Sequence, residues 1–84
     1  MPRTLGSPRH EALRAYIKGR REKAGLTQHQ LARLLRRSQS YVATIETGQR
    51  RIDVVELIDL GDVLGFDPIS TIRLIKRLGL TNTK

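Results

Sequence analysis

Gln39, Ser40, Ala43 and Thr44 bring together a two-ended amide, two hydroxyls and a bare methyl over six consecutive positions. At about 100° per residue these four and Thr47 fall within an arc of roughly 140°, while Tyr41, Val42 and Ile45 fall on the other side. A solvated helix face ordinarily carries Lys and Glu, which favour helix, whereas Ser and Thr do not. Base edges in the DNA major groove match this chemistry. A glutamine amide makes a two-point contact to adenine N6 and N7, hydroxyls serve either donors or acceptors, and a methyl meets the thymine methyl. An indifferent surface on a short helix is the competing reading of the same residues.

Other chemistry finds no constellation. The chain has no cysteine, so it has neither a disulfide framework nor a thiolate metal site. His10 and His29 are its two histidines, too few and too far apart to imply a metal. There is no Ser–His–acid arrangement and no glycine-rich phosphate loop. No catalytic residue, cofactor or metal is therefore expected, and the protein is read as a non-enzyme.

The whole chain agrees with a polyanion partner. Its 84 residues suffice for one domain, 1–84, with a net charge of +8. Residues 1–52 hold 12 Lys/Arg against 3 Asp/Glu, while residues 53–84 hold 4 against 5. A basic half joined to a near-neutral half implies one part facing a polyanion and another part doing something else. No apolar run is long enough for a membrane span, and the opening Met-Pro-Arg-Thr-Leu-Gly-Ser lacks an apolar signal core, so the cytoplasm is the expected compartment.

Helix boundaries are marked by residue type. Ser7-Pro8 supplies an N-cap and a first-turn proline, and Gly25 a left-handed stop. Thr27-Gln28-His29-Gln30 and Asp53-Val54-Val55-Glu56 are capping boxes. Ser38 and Asp67-Pro68 open further helices, and Gly48, Gly65 and Gly79 close them. With no β-alternation anywhere, these marks predict an all-α fold. Its helices are expected at 8–24, 28–35, 39–46, 53–64 and 68–78, after a flexible tail at 1–7. The second and third are separated by so short a turn that they must cross steeply, as in a helix-turn-helix.

The run from Thr27 to Arg51 resembles the Cro/repressor-type helix-turn-helix regulators, the Xre family. The likeness rests on Leu26-Thr27-Gln28, Leu31-Ala32, Gln39-Ser40-Tyr41-Val42, Ile45-Glu46 with Gly48, and Arg50-Arg51-Ile52-Asp53-Val54-Val55-Glu56-Leu57, and it covers about residues 10–66. It implies a compact five-helix repressor-like fold in which Leu31, Leu35, Val42 and Ile45 join the two motif helices across a small Ala32. It also implies that Gln28 binds a DNA phosphate and that Arg21 pairs with Glu46. Arg37, Gln49, Arg50 and Arg51 flank the third helix as phosphate contacts, and Tyr41 is expected to be half core ring and half phosphate contact, its hydroxyl reaching the DNA backbone. Arg36 and Arg37 depart from the family pattern, which often has a glycine at the first position and an apolar residue at the second. An arginine at positive φ would cost about 1 kcal/mol.

The second half carries more apolar residues than one small core needs. Val54, Leu57, Ile58, Gly61 and Leu64 form the expected inward stripe of the fourth helix. Val63, Leu74, Leu78 and Leu80 are the expected dimer surface. A homodimer on a pseudo-palindromic site in double-stranded DNA, acting as a repressor, is the function this implies. An antitoxin holding a protein toxin, with DNA binding secondary, is the alternative from another class. A controller of a restriction–modification operon is a variant of the first.

Overall fold

In the computed structural model, which describes residues 7–81 and side chains through Leu78, five helices fold around one core. They are α1 (Pro8–Lys23), α2 (Gln28–Leu35), α3 (Gln39–Glu46), α4 (Val54–Leu64) and α5 (Pro68–Thr81). No strand occurs among the described residues. Residues 1–6 of the expected tail and the side chain of Leu80 lie outside the described part.

The capping chemistry operates as the residue types require. The Ser7 hydroxyl accepts from the His10 amide at 3.1 Å, and Pro8 follows in the first turn. Both capping boxes close. Thr27 Oγ1 accepts from the Gln30 amide while Gln30 Oε1 accepts from the Thr27 amide, and Asp53 and Glu56 do the same. Asp67 caps α5, accepting from the Ile69 amide and the Ser70 hydroxyl. Each closed box satisfies two amides that a helix start leaves without partners.

The turn between α2 and α3 retains its left-handed residue without a glycine. Arg36 lies at φ 60° and ψ 43°, and it is the one described non-glycine residue at positive φ. The Arg37 amide reaches back to the Ala32 carbonyl at 2.9 Å, which ties off the end of α2.

Ile17, Leu31, Ala32, Val42, Ile45, Leu57, Leu60, Leu64 and Phe66 make the core. Tyr16 closes one edge with its ring set edge-on to Phe66, centroids 5.3 Å apart. The expected inward stripe of α4 is corrected by one step of the helix. Leu57, Leu60, Gly61 and Leu64 are buried, whereas Val54 and Ile58 stand 67% and 45% exposed. The reason is tertiary. Glu56 is turned inward by its capping bonds and by Arg50, and Gly61 faces the returning chain, so the buried face lies between them. A Cβ at Gly61 would lie 2.7 Å from the Phe66 carbonyl oxygen.

Three boundaries also move, and the first is at α4, which starts at Val54 rather than 53 because Asp53 is its N-cap. Helix α1 ends at Lys23 rather than 24, with Ala24 as its cap. Helix α5 does not stop at Gly79 but runs on to Thr81. A glycine inside a helix costs about 1 kcal/mol against alanine, which lowers its stability without obliging it to end.

Candidate nucleic-acid interface

Helix α3 is placed by its apolar side. Val42 and Ile45 are 1% exposed and join Leu31 and Ala32 of α2 in the core, with Leu35 packed against them. The opposite side faces out. Gln39, Ser40 and Thr47 are exposed, and Ala43 and Thr44 are half-buried. Ser38 caps the helix, accepting from the Tyr41 amide at 3.2 Å, and its hydroxyl lies 3.1 Å from that of Ser40. The Thr44 hydroxyl donates to the Tyr41 carbonyl at 2.9 Å, leaving its oxygen free to accept.

The C-terminal end of α3 is held by α1. Arg14 donates to the Glu46 carbonyl at 2.9 Å and is itself held by Glu11. His10 Nε2 lies 3.1 Å from the Gly48 carbonyl oxygen. A cation beside the last carbonyls of a helix opposes its dipole favourably. Gly48 turns the chain at φ 84°, and a Cβ there would meet Arg14 at 3.0 Å. Sequence reasoning gave Arg14 and His10 no role at α3. They stand more than thirty residues away, and nothing local to α3 marks its end as needing them.

Arg21 and Glu46 meet beneath the motif. Arg21 Nε donates to Glu46 Oε2 at 2.6 Å and Nη2 to Oε1 at 2.9 Å, with the residues only 8% and 3% exposed. Arg21 Nη1 also donates to the Leu26 carbonyl at 2.7 Å. Burial pushes the Glu46 carboxyl upward, but hydrogen bonds from Arg21 and Gln28 outweigh it and hold the group below the usual carboxylate range. The hydrogen bond to Glu46 raises Arg21 in turn, against its own burial. Glu46 is therefore ionised at neutral pH.

From that carboxylate a chain of amides runs outward. Gln28 Nε2 donates to Glu46 Oε1 at 3.0 Å, and Gln39 Nε2 donates to Gln28 Oε1 at 2.7 Å. Gln28, expected at a phosphate, thus stands directly beside Gln39, expected at a base.

On the other flank Tyr41 lies half-buried among cations. The Arg37 guanidinium carbon is 3.9 Å from its ring centroid and that of Arg50 is 4.8 Å away, both within cation–π range. Arg50 also forms an ion pair with Glu56. Burial, and then Glu56 beside it, raise the Tyr41 phenol above its ordinary value. Burial would raise the Glu56 carboxyl too, but the Asp53 amide, Tyr41 and Arg50 bring it down. Gln49, Arg51 and Arg37 are exposed, and Arg50 is half-buried. The residues expected at bases lie on α3 itself, with Gln28, Arg37 and Arg50 in contact with its side chains and the Gln49 amide donating to its Thr44 carbonyl. Of the expected dimer residues, Leu74 and Leu78 are 38% exposed on α5, while Val63 packs half-buried against the protein's own core.

Among the described residues no three His, Asp or Glu side chains converge as a metal site, and no helix is long and apolar enough to cross a membrane.

Known proteins share this fold. The helix-turn-helix domain family matches residues 12–74, three quarters of the chain. An XRE-family like protein from Pseudomonas syringae pv. tomato str. DC3000 is 36% identical, with 83% of this chain and 85% of that one covered and a TM-score of 0.76. Two structures of the clp gene regulator ClgR from Corynebacterium glutamicum share the fold at 24% identity. One covers 83% of this chain and 91% of its own with a TM-score of 0.73, and the other covers 89% and 81% with 0.74. None of the curated proteins matches. With the motif, its buried ion pair and the outward face of α3 in place, the chain belongs to the XRE-type helix-turn-helix family of DNA-binding transcriptional regulators.

Proposed function

We propose that the protein is a repressor that binds a short pseudo-palindromic operator as a homodimer. The observation that carries this is the outward face of α3, where Gln39 and Ser40 are exposed and Arg37, Arg50 and Arg51 flank them. In this role Gln39, Ser40 and Thr44 meet base edges, Ala43 meets a thymine methyl, and Gln28, Tyr41, Gln49 and the three arginines hold phosphates. Contacts of the second kind set register, and those of the first carry sequence information.

Dimerisation is supported by the partly exposed apolar side chains on the two flanks of α5, Ile69 with Ile72 and Leu74 with Leu78. Ile69 and Ile72 are 58% and 48% exposed, and Leu74 and Leu78 38% each. A two-fold dimer reading a pseudo-palindrome needs its two copies of α3 about 34–36 Å apart, one turn of DNA. Repression follows from occlusion of a promoter by a dimer sitting on it.

Selection from a randomised duplex pool at about 0.15 M salt tests this. Enrichment of one inverted repeat, with half-sites one turn apart, is the expected outcome. Binding without enrichment of any sequence would reduce the basic half to a general electrostatic surface and move the weight to a protein partner.

A further inference from the structure

We propose that Glu46, acting through Gln28, fixes the sense in which Gln39 presents its amide to a base, and so is a positioning residue for sequence readout. This rests on the base-contact role given to Gln39 above. Each glutamine amide has one end that only donates and one that only accepts, and the two ends differ little in shape. An unrestrained Gln39 would offer either end outward.

The carboxylate removes that freedom. Glu46 Oε1 and Oε2 already accept two hydrogen bonds from Arg21, and an ionised carboxylate has nothing to donate. Gln28 must therefore turn its amino end to Glu46, as it does at 3.0 Å, because the reverse would set two acceptors against each other. Its oxygen then faces Gln39, which must answer with its own amino end, at 2.7 Å. What remains outward on Gln39 is its oxygen and one N–H. That acceptor and donor pair fits adenine N6 and N7. Gln28 retains a second N–H, so the relay leaves its phosphate contact possible.

Reversing the sense makes a distinct prediction. With Glu46→Gln, position 46 gains a donor, Gln28 is free to turn, and Gln39 then directs its amino end outward. Two donors fit the two acceptors of guanine, O6 and N7.

The experiment is competition binding with the duplex enriched from the randomised pool and its single-pair substitutions, on Gln39→Ala, Gln28→Leu and Glu46→Gln proteins checked for folding by circular dichroism. Gln39→Ala is expected to flatten preference at one base pair by about 10- to 100-fold, the range of a two-point base contact. Gln28→Leu and Glu46→Gln are expected to relax that same pair by roughly tenfold, with the largest gain at guanine in Glu46→Gln, and to leave the other pairs unchanged. Should Glu46→Gln fail to fold, Arg21→Met/Glu46→Gln carries the same expectation without a stranded cation. If Gln39→Ala alters no preference, the base-contact role falls and this proposal falls with it. If Gln39→Ala relaxes one pair while Gln28→Leu and the folded Glu46 variant do not, the relay alone is overturned. Nuclear magnetic resonance of the free protein gives a readout independent of DNA. The Gln39 side-chain amide protons should be shifted from free-glutamine positions and return to them in Gln28→Leu; their lying there already in the unsubstituted protein would also overturn the relay.

Discussion

Removing one member of a buried ion pair is far costlier than the pair is worth, because the survivor keeps its charge and loses its partner. Arg21→Ala would leave Glu46, 3% exposed, in that position. A loss of about 3–5 kcal/mol is expected, a large share of the ~5–15 kcal/mol that holds a domain together. Urea denaturation checks it, and an Arg21→Met/Glu46→Leu protein should recover most of the loss. The carboxylates also set the acid limit. Glu46 and Glu56 both titrate below the ordinary value of 4.5, so their contribution is whole above that pH and is lost as pH falls from there through the depressed folded values. Stability should stay level with respect to these two groups from neutral pH to about 5 and then decline, less steeply in Glu56→Gln. The Arg21–Glu46 pair was legible only by family likeness, since its members lie 25 residues apart. The amide chain that leads from it to Gln39 was not legible at all. It depends on side chains of α2 and α3 meeting at the motif's mouth, which no local pattern announces.

At the level of the helix the local marks were the readable ones. Caps act within four residues of where they stand, so Ser7, Thr27, Ser38, Asp53 and Asp67 disclosed five helix starts without knowledge of the fold. The sequence pattern places Leu57, Gly61 and Leu64 of α4 correctly inward, but Val54 and Ile58 take the place of Leu60 in it because all three are apolar and flank the same stripe. Only the chain reversal behind Gly61 chooses between them. Gly61→Ala tests that choice. The added methyl meets backbone rather than a flexible side chain, so a loss of about 1–3 kcal/mol is expected, read as a shift of the denaturation midpoint. Arg36 offers the opposite case. Its left-handed geometry costs an L side chain about 1–2 kcal/mol, part of which glycine regains. Arg36→Gly is therefore expected to raise stability by about 0.5–1 kcal/mol, with the m-value unchanged.

For the whole molecule, charge governs how tightly DNA is held. The proposed dimer, with about 6–10 phosphate contacts, should lose affinity by about 10³–10⁵-fold between 50 and 200 mM salt. Titration of binding across that range checks the contact number, and Arg51→Ala should lower the slope by about one per site occupied. The motif helix itself has a further consequence. At eight residues α3 spans barely two turns, shorter than the ~12–15 residues an isolated helix needs to persist in water. It exists because Val42 and Ile45 are seated in the core and because Arg14 and His10 fasten its end from α1. The outward face of α3 thus has no existence apart from the folded domain, and melting the domain and releasing bound DNA become a single event. Warming a cell through the unfolding transition would silence this regulator as completely as deleting its gene, and the operator, by binding only the folded form, would itself raise the temperature at which that happens.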